Sequence, residues 1–232
     1  MSKDKQTEEM YKAGAHFGYS KSRRHPSTAN YIFATKNGVD IINIEKTAEM
    51  LEKVCEQVKA LAQSGKTILF VGTKAEARQA TVETALALNM PYVNERWVGG
   101  ALTNWPEIKK RITKLVDLRA QKEKGELDKY TKKERLLIDR EMDDMTKNFQ
   151  GIISITKTPD ILFVIDPKKE HIAVTEAHKM KLPVIALMST DCNLKSVEHP
   201  IVGNDASLSS IAFFLEKVKE AYKAGQTGEA AK

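Results

Sequence analysis

The chain lacks the features that mark secreted, membrane-spanning or disulfide-stabilised proteins. It holds two cysteines among 232 residues, and none of its apolar runs approaches the roughly 18 residues of a membrane-spanning helix. Cys55 and Cys192 are far apart in the sequence, which indicates a reducing compartment and no disulfide framework. The opening stretch, MSKDKQTEEMYKAG, has no apolar segment of a signal peptide. We therefore expect a cytoplasmic protein with no membrane partner.

The sequence also lacks the glycine-rich loops of nucleotide-binding enzymes. Gly72 ends the apolar run at residues 67–71 and precedes a predicted helix, a position where phosphate groups bind. Neither G-x-G-x-x-G nor G-x-x-x-x-G-K-S/T is present there. Lys74 and Arg78 oppose the dipole of that helix, which suggests that they meet an external anion. These three residues are the only support for the alternative of a nucleotide- or sugar-phosphate-binding enzyme.

Catalytic and metal-binding motifs are sparse as well. None of the five histidines stands beside a serine or cysteine in a nucleophile motif. Asp191 and Asp205 follow the same predicted strand, and His16 could join them only through the fold. His171 and His178 lie on one predicted helix, where surface or core positions explain them better than a metal site does. We expect no enzyme activity, no cofactor and no metal, with a divalent ion near Asp191 and Asp205 left open.

Positive charge is in modest excess over the whole chain. Lys and Arg number 37 against 31 Asp and Glu, which gives a net charge of +6 and a sequence pI near 9.1. Such an excess fits many enzymes, and it favours a nucleic-acid partner only where the charge is clustered. The apolar fraction of 41% is enough for a proper core in one large domain.

The charge is clustered in residues 10–39, which contain no acidic residue and are called the basic segment below. Lysine and arginine neutralise phosphates, short hydroxyls reach backbone oxygens, and aromatic rings stack on exposed bases. The segment combines these residue types and therefore indicates RNA contact. The alternative is a solvated basic loop whose aromatics serve the core. Its bases and aromatics are Lys12, Lys21, Arg23, Arg24, Lys36, Phe17, Tyr19, Tyr31 and Phe33.

Apolar strands alternate with amphipathic helices along most of the chain. This alternation predicts an α/β fold with a Rossmann-like parallel sheet flanked by helices. Lys36-Asn37-Gly38 separates two apolar runs and predicts a β-hairpin. The predicted strands are residues 67–71, 91–93, 161–165 and 183–188, and the predicted helices are residues 5–14, 45–64, 75–88, 170–180 and 206–224. The predicted α/β domain spans residues 1–102 and 150–224, and residues 225–232 are expected to be a disordered tail.

Residues 103–149 interrupt this alternation with 13 Lys or Arg and 10 Asp or Glu. Thr131 and Glu134 form a capping box that would restart a helix after Gly125. We expect an inserted antiparallel coiled-coil hairpin, and the alternative is two ordinary surface helices packed on the sheet. The narrow apolar seam that favours the hairpin is Ile108, Ile112, Leu115 and Leu118, then Ile138, Met142, Met145 and Phe149.

Both tryptophans lie in the stretch NERWVGGALTNW at residues 94–105, just before this insertion. Asn104 is expected to cap the helix that begins near Pro106. Arg96 is the predicted outward contact of the stretch. The remaining residues predict a structural corner in which two indoles wedge the base of the hairpin against the α/β body, and they are Trp97, Gly99, Gly100 and Trp105.

Six motifs in register resemble the bacterial-type small-subunit ribosomal protein of the S-two (uS-two) family. They are KAGAHFG, IINIEKT, ILFVGTK, RWVGGALTNW, LFVIDPKKEHIAVTEA and PIVGNDA, and the resemblance covers about residues 8–224. The resemblance implies a non-catalytic structural constituent of the small ribosomal subunit in the cytoplasm, present as a single copy. It also implies an α/β domain with a protruding hairpin at the junction of head and body.

The partners that the resemblance implies are small-subunit rRNA, neighbouring small-subunit proteins and the mRNA-binding protein of the S-one family. An adaptor with a protein-binding hairpin is compatible with this function. The chain departs from the family pattern in HFGYSKSRRHPS and CNLKSVEHPIVGND. The expected rRNA contacts are Lys12, His16, Tyr19, Lys21, Arg23, Arg24, His25, Tyr31, Lys36, Lys74, Arg78, Arg96, Asn104, Lys109, Lys110, Arg111 and Lys114.

Overall fold

The structure is a computed structural model that describes residues 3–155 and 157–228. Its amino-terminal quarter forms a small antiparallel sheet, strand order β1-β3-β2, between two helices. The predicted hairpin turn is confirmed, because Asn37 (φ 52°) and Gly38 (φ 77°) adopt the left-handed conformation that such tight turns require. The elements are α1 (Lys3–Lys12), β1 (Phe17–Ser20), β2 (Ile32–Lys36), β3 (Val39–Ile42) and α2 (Ile44–Gln63).

A parallel sheet of five strands forms the centre of the molecule, in the order β5-β4-β6-β7-β8. Every residue of β4, β6 and β7 is buried, because helices cover both faces of the sheet. The predicted α/β fold is therefore confirmed. These elements are β4 (Ile68–Val71), α3 (Ala75–Ala87), β5 (Tyr92–Val93), α4 (Trp105–Glu123), α5 (Lys132–Phe149), β6 (Ile161–Ile165), α6 (His171–Lys179), β7 (Val184–Met188), β8 (His199–Val202) and α7 (Leu208–Gln226).

Alternate residues of each strand serve the two faces of the sheet. Phe70 and Phe163 are register partners and pack with Phe214 under α2, α3 and α7. Their neighbours Leu69 and Leu162 face the opposite way and pack with α6 and the corner stretch. The strict alternation follows from the two-residue period of a strand.

The strand order brings polar loops together at one edge of the sheet. The chain leaves β4 for β5 on one side and later returns to β6 on the other, so the two connections diverge at this point. In open parallel sheets the cleft between such connections, at the carboxyl ends of the strands, is where ligands bind. Residues 72–74 follow β4 there and residues 166–170 follow β6.

Helices α4 and α5 contact each other and are joined by a turn at Glu126–Lys129. Of the predicted seam, Ile108, Ile112 and Leu115 on α4 and Met142 and Phe149 on α5 are buried, and the remaining three residues, Leu118, Ile138 and Met145, are half-buried. The capping box of Thr131 and Glu134 is present, and Gly125 is left-handed (φ 72°) before the turn. Ion pairs join Lys114 to Glu141 and Lys122 to Asp139, so later positions of α4 meet earlier positions of α5. Coiled-coil winding of the pair stays a prediction.

Two strands and the end of the last helix differ from the sequence-based expectation. Strand β1 contains a glycine, and β8 contains Pro200, which a strand at the edge of a sheet tolerates. Helix α7 continues to Gln226, so Gly225 and Gln226, which were predicted to be disordered, are helical. Residues 229–232 of that predicted tail lie outside the described residues. Among the described helices, none has the length and apolar character needed to cross a membrane.

Gly225 belongs to the helix because α7 approaches α2 closely there. A methyl group on Gly225 would lie 2.6 Å from the backbone oxygen of Lys59 and 2.7 Å from the Cβ of Ala62. Alanine normally stabilises a helix relative to glycine, by about 1 kcal/mol. At this position the clash should outweigh that gain and shift the two helices apart.

We predict that Gly225→Ala lowers the free energy of unfolding by about 1–3 kcal/mol, as overpacking does in other proteins. Chemical denaturation measures the change. The exposed neighbour Gln226 provides the control, since Gln226→Ala should leave stability within about 0.5 kcal/mol. A more stable Gly225→Ala protein would show that the end of α7 is not packed on α2.

Candidate nucleic-acid interface

The loop after β7 holds the basic segment against the carboxyl edge of the sheet. The backbone oxygen of Thr190 accepts hydrogen bonds from the His25 amide (2.8 Å) and the Thr28 hydroxyl (2.9 Å). The Tyr19 amide donates to the hydroxyl oxygen of Thr190 at 3.0 Å. Gly18 lets the strand approach this closely, since a Cβ there would lie 2.7 Å from the Thr190 methyl group. Much of the basic segment is thus part of the folded body.

Arg24 forms an ion pair with a buried side chain. Its guanidinium donates two hydrogen bonds to the carboxylate of Asp40, whose side chain is fully buried, and a third to Thr35 at 2.8 Å. The bonds from Arg24 hold the pKa of Asp40 below its usual range. Arg24 therefore balances a buried charge, and little of its charge is left for a phosphate.

Arg23 lies at the surface and is shared between two neighbours. Its guanidinium stands 4.4 Å from the centre of the Tyr19 ring and 3.3 Å from the carboxylate of Asp191. Lys168 approaches the same carboxylate oxygen at 3.0 Å. Arg23 and Lys168 are both about half exposed, so they form a basic rim over a buried aspartate.

Lys74 lies inside the cleft between β4 and β6, and this corrects the expectation that it meets an external anion. Its ammonium is 2.6 Å from Asp166 and 3.2 Å from Asp205. The Tyr19 hydroxyl also accepts a hydrogen bond from it at 3.3 Å. Burial alone would lower the pKa of Lys74, but the charges of Asp205 and Asp166 outweigh burial and raise it. The positive charge of Lys74 is therefore balanced by the two aspartates.

The same cleft removes the support for a nucleotide-binding enzyme. Tyr19 and Lys74 occupy the position where a phosphate would sit, and acidic groups surround the ammonium. Packing explains the glycine at position 72, because a Cβ on Gly72 would lie 2.4 Å from the Thr81 hydroxyl of α3. Arg78 points to Glu95, with 2.8 Å between guanidinium and carboxylate. The three residues that suggested a nucleotide-binding enzyme, Gly72, Lys74 and Arg78, are thus each explained by contacts within the protein.

The other predicted contacts within the basic segment are a mixed group. His16 lies between the rings of Tyr11 (4.7 Å) and Phe17 (4.1 Å), and burial lowers its pKa. The His25 ring bonds the Ser27 hydroxyl at 2.8 Å. Lys12 pairs with Glu8, and Tyr31 lies below the ammonium of Lys46. Beside these partners, Lys12 remains exposed and Tyr31 is half-buried.

Five of the predicted RNA-binding cations are exposed and form no ion pair within residues 3–155 and 157–228; we call them the free cations. Lys21 and Lys36 belong to the basic segment, and Lys36 stands at the tip of the β2–β3 hairpin. Arg96 precedes the corner, and Lys109 and Arg111 lie on α4. Because their charges are not balanced inside the fold, they are the groups best able to bind phosphates.

The neighbouring polar residues of α4 are partly used by the hairpin itself. Lys110 pairs with Glu107 at 2.6 Å, and Lys114 pairs with Glu141 of α5. Asn104 stands at the N-cap position of α4, but its side chain makes no capping hydrogen bond. The predicted side-chain cap is therefore wrong, and the amides of Glu107 and Ile108 donate to the backbone oxygen of Asn104 instead. The amides of the preceding turn are bound by another residue.

That residue is Glu176 of α6, which sequence reasoning did not identify. Its carboxylate is buried and accepts hydrogen bonds from the Trp97 indole (3.2 Å) and from the backbone amides of Gly100 (2.7 Å), Leu102 (3.0 Å) and Thr103 (3.2 Å). Burial alone would raise the pKa of Glu176, but these hydrogen bonds outweigh burial and lower it. One side chain thus fixes the whole corner stretch.

A signal for Glu176 was present in the sequence. It shares a helix face with Ala173 and Ala177, which are both fully buried, so a charge lies where the periodicity demands an apolar residue. Trp97 is buried among the residues on the α6 side of the sheet, and Trp105 packs against these residues. Gly100 is left-handed (φ 90°) and Gly99 is open to solvent on its Cβ side.

Three side chains with metal-ligating atoms lie together at the same edge of the sheet, but not in the predicted combination. Asp166, Cys192 and Asp205 bring their ligand atoms within 4.8 Å of one another. His16 does not take part in this group, and Asp191 is paired with Arg23 and Lys168. The ammonium of Lys74 lies next to two of the three ligand residues.

Comparison with protein families gives one match over most of the chain. Residues 10–225 match the family described as Ribosomal protein S2. The chain belongs to the ribosomal protein S2 family. Members of this family are structural ribosomal components and not enzymes, which agrees with the cleft filled by Tyr19 and Lys74.

Curated relatives in the family share about two fifths of their residues with this chain. The small ribosomal subunit protein uS2 of Dictyoglomus thermophilum is 41% identical over 218 residues, covering 94% of this chain and 89% of the relative. The protein of the same name from Dictyoglomus turgidum has the same identity and coverage. The small ribosomal subunit protein uS2c of Rhodomonas salina is 38% identical over 221 residues, covering 95% of this chain and 91% of the relative.

We predict that Glu176→Gln lowers the free energy of unfolding by about 2–4 kcal/mol, because an amide nitrogen would face donors that a charged acceptor satisfied before. Trp97→Ala should cost about 3–5 kcal/mol through lost packing. Both variants should lose folding before they lose RNA affinity. Denaturation curves and RNA binding at matched folded fractions separate the two effects, with the exposed Lys179→Ala on the same helix as control. A stable Trp97→Ala protein with weaker RNA binding would contradict this order.

The Arg24–Asp40 pair predicts a pH dependence of stability. The pKa of Asp40 is depressed in the folded protein, so the pair stabilises the fold at pH values above about 4, the unfolded value, and this contribution is lost as the pH falls through the depressed pKa. Arg24→Ala leaves the buried carboxylate of Asp40 without its partner and should therefore lower the free energy of unfolding at pH 7.

The difference in free energy of unfolding between wild type and Arg24→Ala should shrink as the pH falls from 5 towards 2, because the carboxyl group of Asp40 becomes neutral in both proteins. Denaturation curves at several pH values measure it. The double variant Arg24→Ala with Asp40→Asn removes both charges and serves as control. A difference that stays constant with pH would show that the ion pair is not the cause.

Proposed function

We propose that this chain is a structural constituent of the small ribosomal subunit that binds small-subunit rRNA. The observation that carries the proposal is the family match over residues 10–225, at an identity near 41% to curated small-subunit proteins. In this function the chain is present once per subunit at the junction of head and body. It contacts neighbouring small-subunit proteins, and it helps to recruit the mRNA-binding protein of the S-one family in cytoplasmic ribosomes.

The free cations support a specific RNA-binding surface. Lys21 and Lys36 extend from the basic segment, and Lys109 and Arg111 extend from α4. Arg96 lies directly before the corner that leads into α4. Each unbalanced charge can neutralise one phosphate and release a counterion, which makes binding sensitive to salt. Arg24 and Lys74 have a different task in this proposal, because they hold the segment in place.

Helix α4 is the side of the hairpin that we assign to RNA. Its sequence WPEIKKRITKLVDLRAQKE has six Lys or Arg and three Asp or Glu, whereas KKERLLIDREMDDMTKNF of α5 has five of each. Phosphates favour the helix with the basic excess. Leu136 and Leu137 are about half exposed on α5, so this helix is the better candidate for contact with a neighbouring protein.

The first test is sedimentation of ribosomal particles on sucrose gradients at increasing salt. We expect the protein to travel with the small subunit at low salt and to be released as salt rises, because phosphate contacts weaken with ionic strength. A protein that stays at the top of the gradient at low salt, while other small-subunit proteins migrate with the particle, would contradict the proposal.

Two pairs of substitutions test the assigned surface. Lys21→Gln with Lys36→Gln, and Lys109→Gln with Arg111→Gln, should each reduce subunit occupancy and lower the slope of log affinity against log salt by about 2. Lys53→Gln with Lys223→Gln removes the same charge from exposed positions on α2 and α7 and is the matched control. Equal losses in all three pairs would show a general charge effect and no specific surface.

Arginine substitutions in the basic segment do not give a clean test. Arg24→Ala removes the partner of the buried Asp40 carboxylate, and Arg23→Ala removes one of two partners of Asp191. Loss of subunit occupancy in such variants would combine lost folding with lost RNA contact. The free cations avoid this ambiguity because they form no ion pair among the described residues, and thermal unfolding of each variant verifies that the fold is intact.

A further inference from the structure

The turn between β2 and β3 holds the only Asn-Gly pair of the sequence. Asn37 and Gly38 are both exposed, and the space that a Cβ on Gly38 would occupy is open. Among the described residues, the Asn37 side chain forms no hydrogen bond and the Gly38 amide donates none. The side-chain carbonyl carbon of Asn37 and the backbone nitrogen of Gly38 are therefore free to react with each other.

An asparagine that precedes glycine can lose its side-chain amide without an enzyme. The backbone nitrogen of the glycine gives up its proton to base and attacks the side-chain carbonyl carbon of the asparagine. A new C–N bond closes a five-membered succinimide ring, and the side-chain nitrogen leaves as ammonia. Water then opens the ring at either carbonyl group, which gives aspartate or isoaspartate. Glycine favours this reaction because no Cβ obstructs the approach of its nitrogen.

The position of the turn at the tip of a hairpin also favours the reaction. Ring closure requires the backbone between Asn37 and Gly38 to rotate out of the folded turn. Residues 33–39 are all exposed, and the turn is tied to the end of β1 by a hydrogen bond of 2.9 Å from the Lys21 amide to the Gly38 oxygen. Such a tip opens at a small cost in free energy, because opening exposes little additional apolar surface.

Asn89 is a matched control within the same chain. It is exposed and left-handed at φ 52°, as Asn37 is. The residue after it is Met90, whose amide donates to the backbone oxygen of Ala85 at 2.8 Å. A side chain and a hydrogen bond therefore both hinder the nitrogen that would attack Asn89. The two asparagines differ in the residue that follows them and share their backbone conformation.

We propose that Asn37 is a site of spontaneous deamidation and that the product weakens the RNA-binding surface around Lys36. Either product places a carboxylate directly beside Lys36, one of the free cations. Isoaspartate also adds a methylene group to the main chain, which displaces the Gly38 oxygen from the amide of Lys21. The effect on RNA rests on the proposed function, because it requires that these two lysines bind phosphates.

The modification is tested by incubating the full-length protein at physiological temperature, followed by tryptic digestion and mass spectrometry. Residues 37–46 and 79–96 are the tryptic peptides that contain Asn37 and Asn89, and fragmentation distinguishes Asn37 from Asn43 in the first. Conversion at residue 37 should be at least about tenfold faster than at residue 89, since only Asn37 precedes a glycine. It should also be faster at alkaline than at acidic pH, because the attacking nitrogen must lose its proton. Equal rates at the two positions, or no conversion at residue 37, would overturn the proposal.

Two variants test the effect of the product on RNA. Asn37→Asp reproduces the aspartate product, and Asn37→Gly removes the reactive amide while keeping a residue that favours this turn. Binding of small-subunit rRNA by the incubated wild type should weaken, and the slope of log affinity against log salt should fall by about 1. Asn37→Asp should show the same loss before incubation, and incubation should leave the affinity of Asn37→Gly unchanged.

The single variant Lys36→Gln separates a failure of this proposal from a failure of the proposed function. If Lys36→Gln weakens RNA binding but full conversion of residue 37 does not, the proposed effect of deamidation is overturned. If Lys36→Gln leaves RNA binding unchanged, the assignment of Lys36 to the RNA surface fails and the effect of deamidation on RNA fails with it. The mass spectra decide the modification itself in either case.

Discussion

Buried acidic groups at the carboxyl edge of the parallel sheet require positive charge, and the placement of the basic segment follows from that requirement. Asp166, Asp191 and Asp205 follow β6, β7 and β8, because parallel strands end at the same edge. Lys74 balances two of them, and Arg23 shares the third with Lys168. The basic segment thus reaches the sheet through the ion pair of Arg23 and Asp191 as well as through the hydrogen bonds of Thr190.

A second buried carboxylate organises the other side of the sheet. Glu176 accepts hydrogen bonds from the amides of the corner stretch and from the indole of Trp97. The direction in which α4 leaves the α/β body therefore depends on one side chain of α6. The two charged centres share a principle: each buries a carboxylate and satisfies it with groups that are distant in sequence. They place the cations of the basic segment and of α4, which the proposed RNA contact uses.

Much of the fold could be predicted because its signals are local. The apolar run at residues 161–165 is strand β6, the Asn37-Gly38 turn joins β2 to β3, and Thr131 with Glu134 starts α5. Strand β8 could not be predicted, since its proline and histidine resemble a loop and only pairing with β7 makes it a strand. Among the site residues, composition indicated which side chains are basic but not which are already paired.

The sequence by itself determined the α/β alternation, the helical insertion and, through six motifs in register, the family. These features depend on residue periodicity and local turns, which neighbouring residues decide. Only the tertiary structure decided that Lys74 and Arg24 balance buried aspartates while Lys21, Lys36 and Arg111 keep their charges exposed. The reason is physical: the charge available to a partner depends on burial and on ion pairs between residues far apart in the chain, as with Lys74 and Asp205.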